Sequence, residues 1–370
     1  MNLEPFRDQA RAWLAANRTH APPDYGAILP ARLRDEGVAW QKRLLAEGWA
    51  GIHWPVEHAG RGLSPDHQEA WIEECARAQV PPFVNMVGFV LAGQALLRFG
   101  TSEQQAEHLL PILSADRIWC QLFSEPGAGS DLAGLSTTAV VDGEEYVING
   151  QKVWCSAASI SQWGILMART DPDAPRHKGI SFFVVDMSSP GVETRPLRQM
   201  TGDSEFEEVF LTDVRLPADA LLGPRNEGWR VGMDTLTNER GSIGAALISM
   251  SRRVDDLIGL GGDLDAYQAQ RLAEIVGRAR AYMTMGQRQG AGASVASSLS
   301  KLGATEMMFD EAVLRVDLAG LASMLDAPDT RRLLGAPGGR IAGGTSQIQR
   351  NIISERILGL PKEPRVDWHD

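Results

Sequence analysis

Two stretches of the 370-residue chain combine residue types and spacings that could do chemistry. The first is Gln121 to Asp131, QLFSEPGAGSD. Gly127 and Gly129 flank Ala128, directly after Glu125-Pro126 and before Ser130-Asp131. Such a turn presents free backbone N–H groups and hydroxyls, able to meet a polar planar ligand. On composition alone, a plain Gly/Ser-rich loop entering a β unit is the commoner reading. GAG is not GxGxxG, and no strand-turn-helix unit surrounds it, so a Rossmann dinucleotide site is not supported. The second stretch is Glu239-Arg240 in LTNERGSIG. Arg240 lies on an apolar helical stripe, four residues after Leu236 and three before Ile243, with Glu239 beside it. Buried charges are costly unless paired or used. On pattern alone, a mutual or interhelical ion pair or a locally solvated stretch is the commoner reading.

These stretches sit in zones of different period. Up to about residue 115 the pattern is helical. Phe6, Ala10, Trp13 and Leu14 recur at helix spacing, as do Leu33, Val38, Trp40, Leu44 and Leu45. Gly51 to Pro65 reads as a loop, and helices return around Glu69 to Ala78 and Phe89 to Phe99. Gly100 closes a helix, and Thr101 with Gln104 forms a capping box opening the next. From about 116 to 222 the period is two. Thr138 to Val141, Glu145 to Ile148 and Lys152 to Cys155 read as a meander turning at Asp142-Gly143 and Asn149-Gly150. Trp163 to Ala168, Ile180 to Val185 and Glu207 to Val214 add strands, and no alternating helices suggest a parallel sheet. The unit is expected to be antiparallel. Beyond about 225 a stripe from Trp229 to Leu257 predicts one long helix. Further helices are expected over Ala266 to Met285, Ser297 to Met324, and Thr345 to Gly359. The fold class is α+β, divided as a helical domain (1–117), an antiparallel β-sandwich or barrel (118–222) and a four-helix bundle (223–370).

Apolar residues make up 44% and charged residues 22% of the chain, as in ordinary soluble domains. A net charge of -11 argues against sequence-independent nucleic-acid binding. Cys75, Cys120 and Cys155 form no CxxC pair, so neither a metal site nor a disulfide is expected, and a reducing cytoplasm fits. The first residues carry acids and no apolar core, unlike a secretory signal, and no stretch is apolar enough to span a bilayer.

Several segments together resemble the acyl-CoA dehydrogenases. FSEPGAGSD resembles that family's TEPxAGSD loop. VINGQKVWCSAA is similar to its INGxKxWITNA strand, and GGTSQIQRNIISERILGL to its C-terminal signature helix. WAGIHWPVEHAGRGLS is similar to its N-terminal GWPxExGGxG loop. The likeness runs in order from about residue 45 to 361. The family's three-part fold agrees with the zones above.

The resemblance implies FAD as cofactor and α,β-dehydrogenation of an acyl-CoA thioester to the trans-2-enoyl-CoA. Carried over by position, Gln121, Phe123, Ser124, Ser130, Trp154, Ser156, Thr345 and Gln347 would bind FAD. Phe123, Ser124 and Trp154 would lie against the isoalloxazine, and Ser156 near its reactive nitrogen. Ser130 would touch the pyrophosphate or the thioester ligand. Asn238, Glu239 and Arg240 would line the substrate site. Many members carry the α-proton base directly before the Gly-Thr of the C-terminal loop. Here Gly343 stands there, in RIAGGTSQ, and cannot take a proton. A minority pattern places the base on the first long helix of the bundle, before an Arg, so Glu239 inherits the role. A carboxylate in a dry pocket is a stronger base. The Gly343 N–H would stabilise the developing enolate, an oxyanion-hole effect. Arg240 would hold the catalytic loop or a neighbouring helix.

The segments where relatives grip the FAD pyrophosphate across subunits read differently here, and Arg331, Arg332 and Arg340 are the candidate replacements. The resemblance further implies an electron-transfer flavoprotein as electron acceptor and a homotetramer or homodimer. Two alternatives remain: a flavin oxidase of acyl-CoA or nitroalkane type, and a non-catalytic subunit of a mixed tetramer. Fatty, branched and polycyclic acyl groups are all open as substrates.

Overall fold

The computed structural model describes residues 3–23, 25–26, 28–238, 243–287 and 293–362, with side chains outside 237–247 and 285–297. It divides into two compact units, residues 1–239 and 240–370.

The first unit opens with helices α1 (Glu4–Asn17), α2 (Arg34–Ala46), α3 (Pro65–Ala78), α4 (Gly93–Phe99) and α5 (Ser102–Ser114). Pro residues stand in the first turns of α1 and α3, where a missing N–H costs nothing. At α5 the expected capping box is present: Thr101 Oγ1 accepts from the Gln104 N–H, and the Gln104 side chain accepts from the Thr101 N–H. A π-helical turn, Val87–Ala92, leads into α4. The core here is aromatic. Trp49 stacks on Trp71 at 4.6 Å, Trp13 meets both, and Trp54 stacks on Phe89 at 5.3 Å. The loop from Gly51 to Pro65 is therefore part of the core. Ile52 and Trp54 are fully buried, and a Cβ at Gly60 would come within 2.1 Å of the Trp54 carbonyl oxygen.

Seven strands follow: β1 (Trp119–Leu122), β2 (Thr138–Asp142), β3 (Glu145–Ser156), β4 (Trp163–Arg169), β5 (Ile180–Asp186), β6 (Val192–Leu197) and β7 (Phe206–Pro217). They form one sheet in the order β1-β4-β2-β3-β7-β6, with β5 on β4. The sheet is mixed rather than antiparallel, because β1 runs parallel to β4. Asp142 pairs with Glu145 across Gly143 (φ 65°), as the turn chemistry predicts. Asn149-Gly150 is not a second turn. β3 runs straight through it, and Thr212 and Asp213 of β7 face Asn149 alone. That β-bulge is closed by side chains: Asn149 Nδ2 donates to Asp213 Oδ1, and the Asp213 N–H donates to Asn149 Oδ1. Gly150 is needed there, since a Cβ would come within 2.3 Å of Thr137 Oγ1. Asn85, 1% exposed, ties helices to sheet: its amide donates to Ile112 O and Arg117 O and accepts from Trp119 N. Helix α6 (Gly228–Asn238) closes the unit, with Gly228 and Gly232 letting it approach Ser181 and Met167 closely.

The second unit contains α7 (Ile243–Gly259), α8 (Ala266–Gln287), α9 (Ala293–Ala319), α10 (Pro328–Ile341) and α11 (Ser346–Ile352), which passes into a π-helical turn, Ile353–Ile357. Met250, Val254, Leu257, Ile275, Ala279, Met307 and Leu314 form its core. The single long helix expected over 229–257 is described as α6 and α7. Helix α10, absent from the sequence reading, forms despite Pro337 and the Gly338-Gly339 pair. Among the described residues, no helix is long and apolar enough to cross a membrane.

Candidate functional site

The signature segment leaves β1 at Leu122 and returns to the sheet at Thr138. Its turn is closed by two reciprocal backbone bonds, Glu125 N–H to Ala128 O and Ala128 N–H to Glu125 O, both 3.0 Å. At Gly127 and Gly129 no atom lies within 4 Å of an added Cβ, so that backbone is open. Beneath it sits a buried ion pair. Lys152 Nζ donates to Glu125 Oε1 (2.9 Å), Phe123 O (3.1 Å) and Met167 O (2.8 Å). Glu125 also accepts from the N–H groups of Ser136 and Thr137 and from Ser136 Oγ. Burial alone would raise the Glu125 carboxyl. The Lys152 charge and these donors outweigh it and hold the carboxyl at about 2. Burial pulls the Lys152 ammonium below the ordinary lysine value, and Glu125 draws it partly back.

Next to this pair β3 bulges again. Val153 and Trp154 face Glu208 alone, and Trp154 adopts φ 60°. The freed Val153 N–H donates to Ser124 O at 2.9 Å, which aligns the signature loop along the bulge. Trp154 is 58% exposed, touching Phe206 edge-on. Ser124 and Ser156 are half-buried and Ser130 is exposed. Among the described residues none hydrogen-bonds to these three hydroxyls. Ser156 also borders a small open cleft shared with Asn85, Met86 and Trp119. Phe123 is buried, its ring edge-on to Phe182 at 5.5 Å, so its carbonyl and not its ring is tied into the loop's support. Gln121 lies in β1 opposite Ile165. An exposed indole, unengaged hydroxyls and an open glycine turn suit a flat heterocycle with polar edges and a phosphate tail. That donor set fits FAD.

In the second unit the other predicted residues form a loop of their own. Gly343 (φ 62°) and Gly344 (φ 88°) are both left-handed. Lys301 Nζ donates to Gly344 O (2.6 Å) and Arg340 O (3.3 Å), and Gln349 Nε2 donates to Gly343 O (3.0 Å). Thr345 Oγ1 accepts the Ile348 N–H and so caps α11, while Gln347 is exposed. Arg331, Arg332 and Arg340 each pair with a carboxylate, of Asp326, Asp329 and Glu306 respectively. Glu239 and Arg240 lie outside the described residues. Asn238 ends α6, and its side chain is not described.

The sequence reading did not single out Glu125, Lys152 or Lys301. A signal for Lys152 was present: alternation along β3 puts it on the inward face with Tyr146 and Ile148, where an unpaired lysine is not tolerated.

A helical region, a curled sheet that offers an indole and hydroxyls, and a helical unit with a glycine loop define a flavoprotein oxidoreductase fold. Models of the acyl-CoA dehydrogenase N-terminal, middle and C-terminal domains match residues 3–116, 120–214 and 264–358. The chain is 40% identical to acyl-CoA dehydrogenase IpdE1 of Mycobacterium tuberculosis over 387 residues, covering 98% of this chain and 99% of the relative. Among solved structures it resembles the Tcur3481-Tcur3483 steroid ACAD, with TM-score 0.81, 27% identity and 98% of each chain covered. It also resembles the ChsE4-ChsE5 complex of M. tuberculosis, with TM-score 0.79, 28% identity, and 97% of this chain and 98% of that one covered. The chain belongs to the acyl-CoA dehydrogenase family, whose members are FAD-dependent oxidoreductases.

Proposed function

We propose that the protein oxidises an acyl-CoA thioester across Cα–Cβ, with Glu239 taking the α-proton. The observation that carries this reading is the platform of Trp154, Ser124 and Ser156 beside the open signature turn. Bound FAD supplies the acceptor for the β-hydrogen. Trp154 would flank it, the Ser124 and Ser156 hydroxyls would meet its polar edge, and Ser130 would meet the pyrophosphate or the thioester. Gln121 and the Phe123 backbone would belong to the same site, and the resemblance alone adds Thr345 and Gln347. The Gly343 N–H donates to the thioester oxygen and stabilises the enolate as the proton leaves. Gly343 carries no base, which supports Glu239 in that role. Arg240 orients it, and Asn238 lines the substrate side. Electrons pass on to an electron-transfer flavoprotein. The segments 1–117, 118–222 and 223–370 act as three domains of a cytoplasmic homotetramer or homodimer.

A polycyclic, steroid-derived acyl group is the favoured substrate, supported by the likeness to a steroid ACAD at 27% identity. An anaerobic screen of acyl-CoA thioesters, read as bleaching of the yellow flavin, tests the proposal. Glu239→Gln should keep FAD and stop the bleaching; a variant that still bleaches at the wild-type rate refutes the base assignment. Fast reoxidation by air would make the protein an oxidase. The likeness to the ChsE4-ChsE5 complex favours a second reading, a non-catalytic subunit of a mixed tetramer. A protein inert until a second subunit is added would establish that reading.

A further inference from the structure

Two of the segments assigned above to the flavin, the signature loop and the Trp154 bulge, are held by one buried charge pair. Lys152 spends all its donors inside the protein, on Phe123 O, Glu125 Oε1 and Met167 O. Glu125 spends its two oxygens on Lys152, on the Ser136 and Thr137 N–H groups and on Ser136 Oγ. The pair thereby joins the start of the signature loop, its return into β2, strand β3 and strand β4. Ser124 lies between two anchored residues, Phe123 and Glu125. Trp154 lies two residues beyond Lys152, and the intervening Val153 N–H is bonded to Ser124 O. Two of the three Lys152 acceptors are main-chain carbonyls, so the ammonium fixes backbone positions that an apolar side chain could not.

We infer that Glu125 and Lys152 are positioning residues, whose pairing sets the spacing between the signature loop and the Trp154 bulge and so makes the FAD site. Neither residue is placed against the cofactor. The inference rests on the reading that Ser124 and Trp154 face FAD.

The test compares the whole protein with Lys152→Met, Glu125→Leu, the double variant, Ser136→Ala and Trp154→Ala. It reads FAD dissociation constant, the visible circular dichroism of bound FAD, and thermal stability of the FAD-free form. Each single change at the pair leaves a buried charge or orphaned donors and should lower stability. The double change removes both charges and should be less destabilised than either single change, though it still orphans Phe123 O, Met167 O and the Ser136 and Thr137 N–H groups. It should still bind FAD at least about tenfold more weakly, with an altered dichroism band. A double variant that keeps the wild-type FAD affinity and dichroism overturns the inference. If the double variant does not fold, Ser136→Ala decides. It removes one hydroxyl bond to Glu125 and should weaken FAD about threefold while lowering the melting temperature less than either change at the pair; unchanged affinity overturns the inference. If Trp154→Ala leaves affinity and dichroism unchanged, the flavin-facing reading itself has failed.

Discussion

Trp154 sits where two energetic demands conflict, and replacing it separates them. Its indole is 58% exposed, so only about two-fifths of that side chain is buried. On the order of 90 Å² at about 25 cal/mol/Å² gives roughly 2 kcal/mol for that part. Its backbone holds φ 60°, which costs a residue with a Cβ about 1–2 kcal/mol. Trp154→Ala loses the packing and keeps the strain. Trp154→Gly loses the same packing and relieves the strain, against about 0.5–1 kcal/mol for the extra freedom of glycine in the unfolded chain. The FAD-free Gly variant should therefore be more stable than the Ala variant by up to about 1.5 kcal/mol, reversing the order seen in ordinary strands. In urea denaturation, with m of roughly 3 kcal/mol/M, that is a midpoint difference of up to about 0.5 M. An Ala variant at least as stable as the Gly variant would show that residue 154 is not held left-handed by the bulge. Both variants should bind FAD poorly.

Other expectations follow from the same geometry. Gly60→Ala forces a Cβ against the Trp54 carbonyl and should cost about 1–3 kcal/mol by thermal denaturation; a neutral result would contradict the tight turn around Trp54. Glu125 is lowered from 4.5 to about 2, so its contribution is complete above about pH 4.5 and disappears as pH falls through 2. At about 1.4 kcal/mol per pH unit this is roughly 3 kcal/mol, read as the stability gap between wild type and Glu125→Gln closing on acidification. A gap independent of pH would mean that Glu125 is already protonated.

Local chemistry was legible wherever a single short-range rule governed. The Thr101-Gln104 capping box and the Asp142-Gly143 turn formed as their residue types require. Elsewhere tertiary context overrode the local signal. Asn149-Gly150 has the dipeptide of a tight turn, yet the partner strand supplies Asp213 and turns the site into a bulge. β1 is only four residues long and pairs in parallel with a strand about 40 positions on, which no local period reveals. Pro337 and the following glycines are poor helix formers, yet α10 forms over them, its last turn capped by Ala342 N–H to Gly338 O. Of the site, the motifs located Ser124, Trp154 and Ser156 beside one another. They said nothing of the Glu125–Lys152 pair, because alternation marks Lys152 as inward but does not name its partner.

The paired left-handed glycines also bear on how such a protein can change over generations. A glutamate placed at 343 would find no atom within 4 Å of its Cβ, so the space for a base there persists. The backbone at φ 62° would nevertheless penalise it by about 1–2 kcal/mol. A base at this position would thus bear the same kind of backbone cost that Trp154 bears at φ 60°, unless the turn refolded with it.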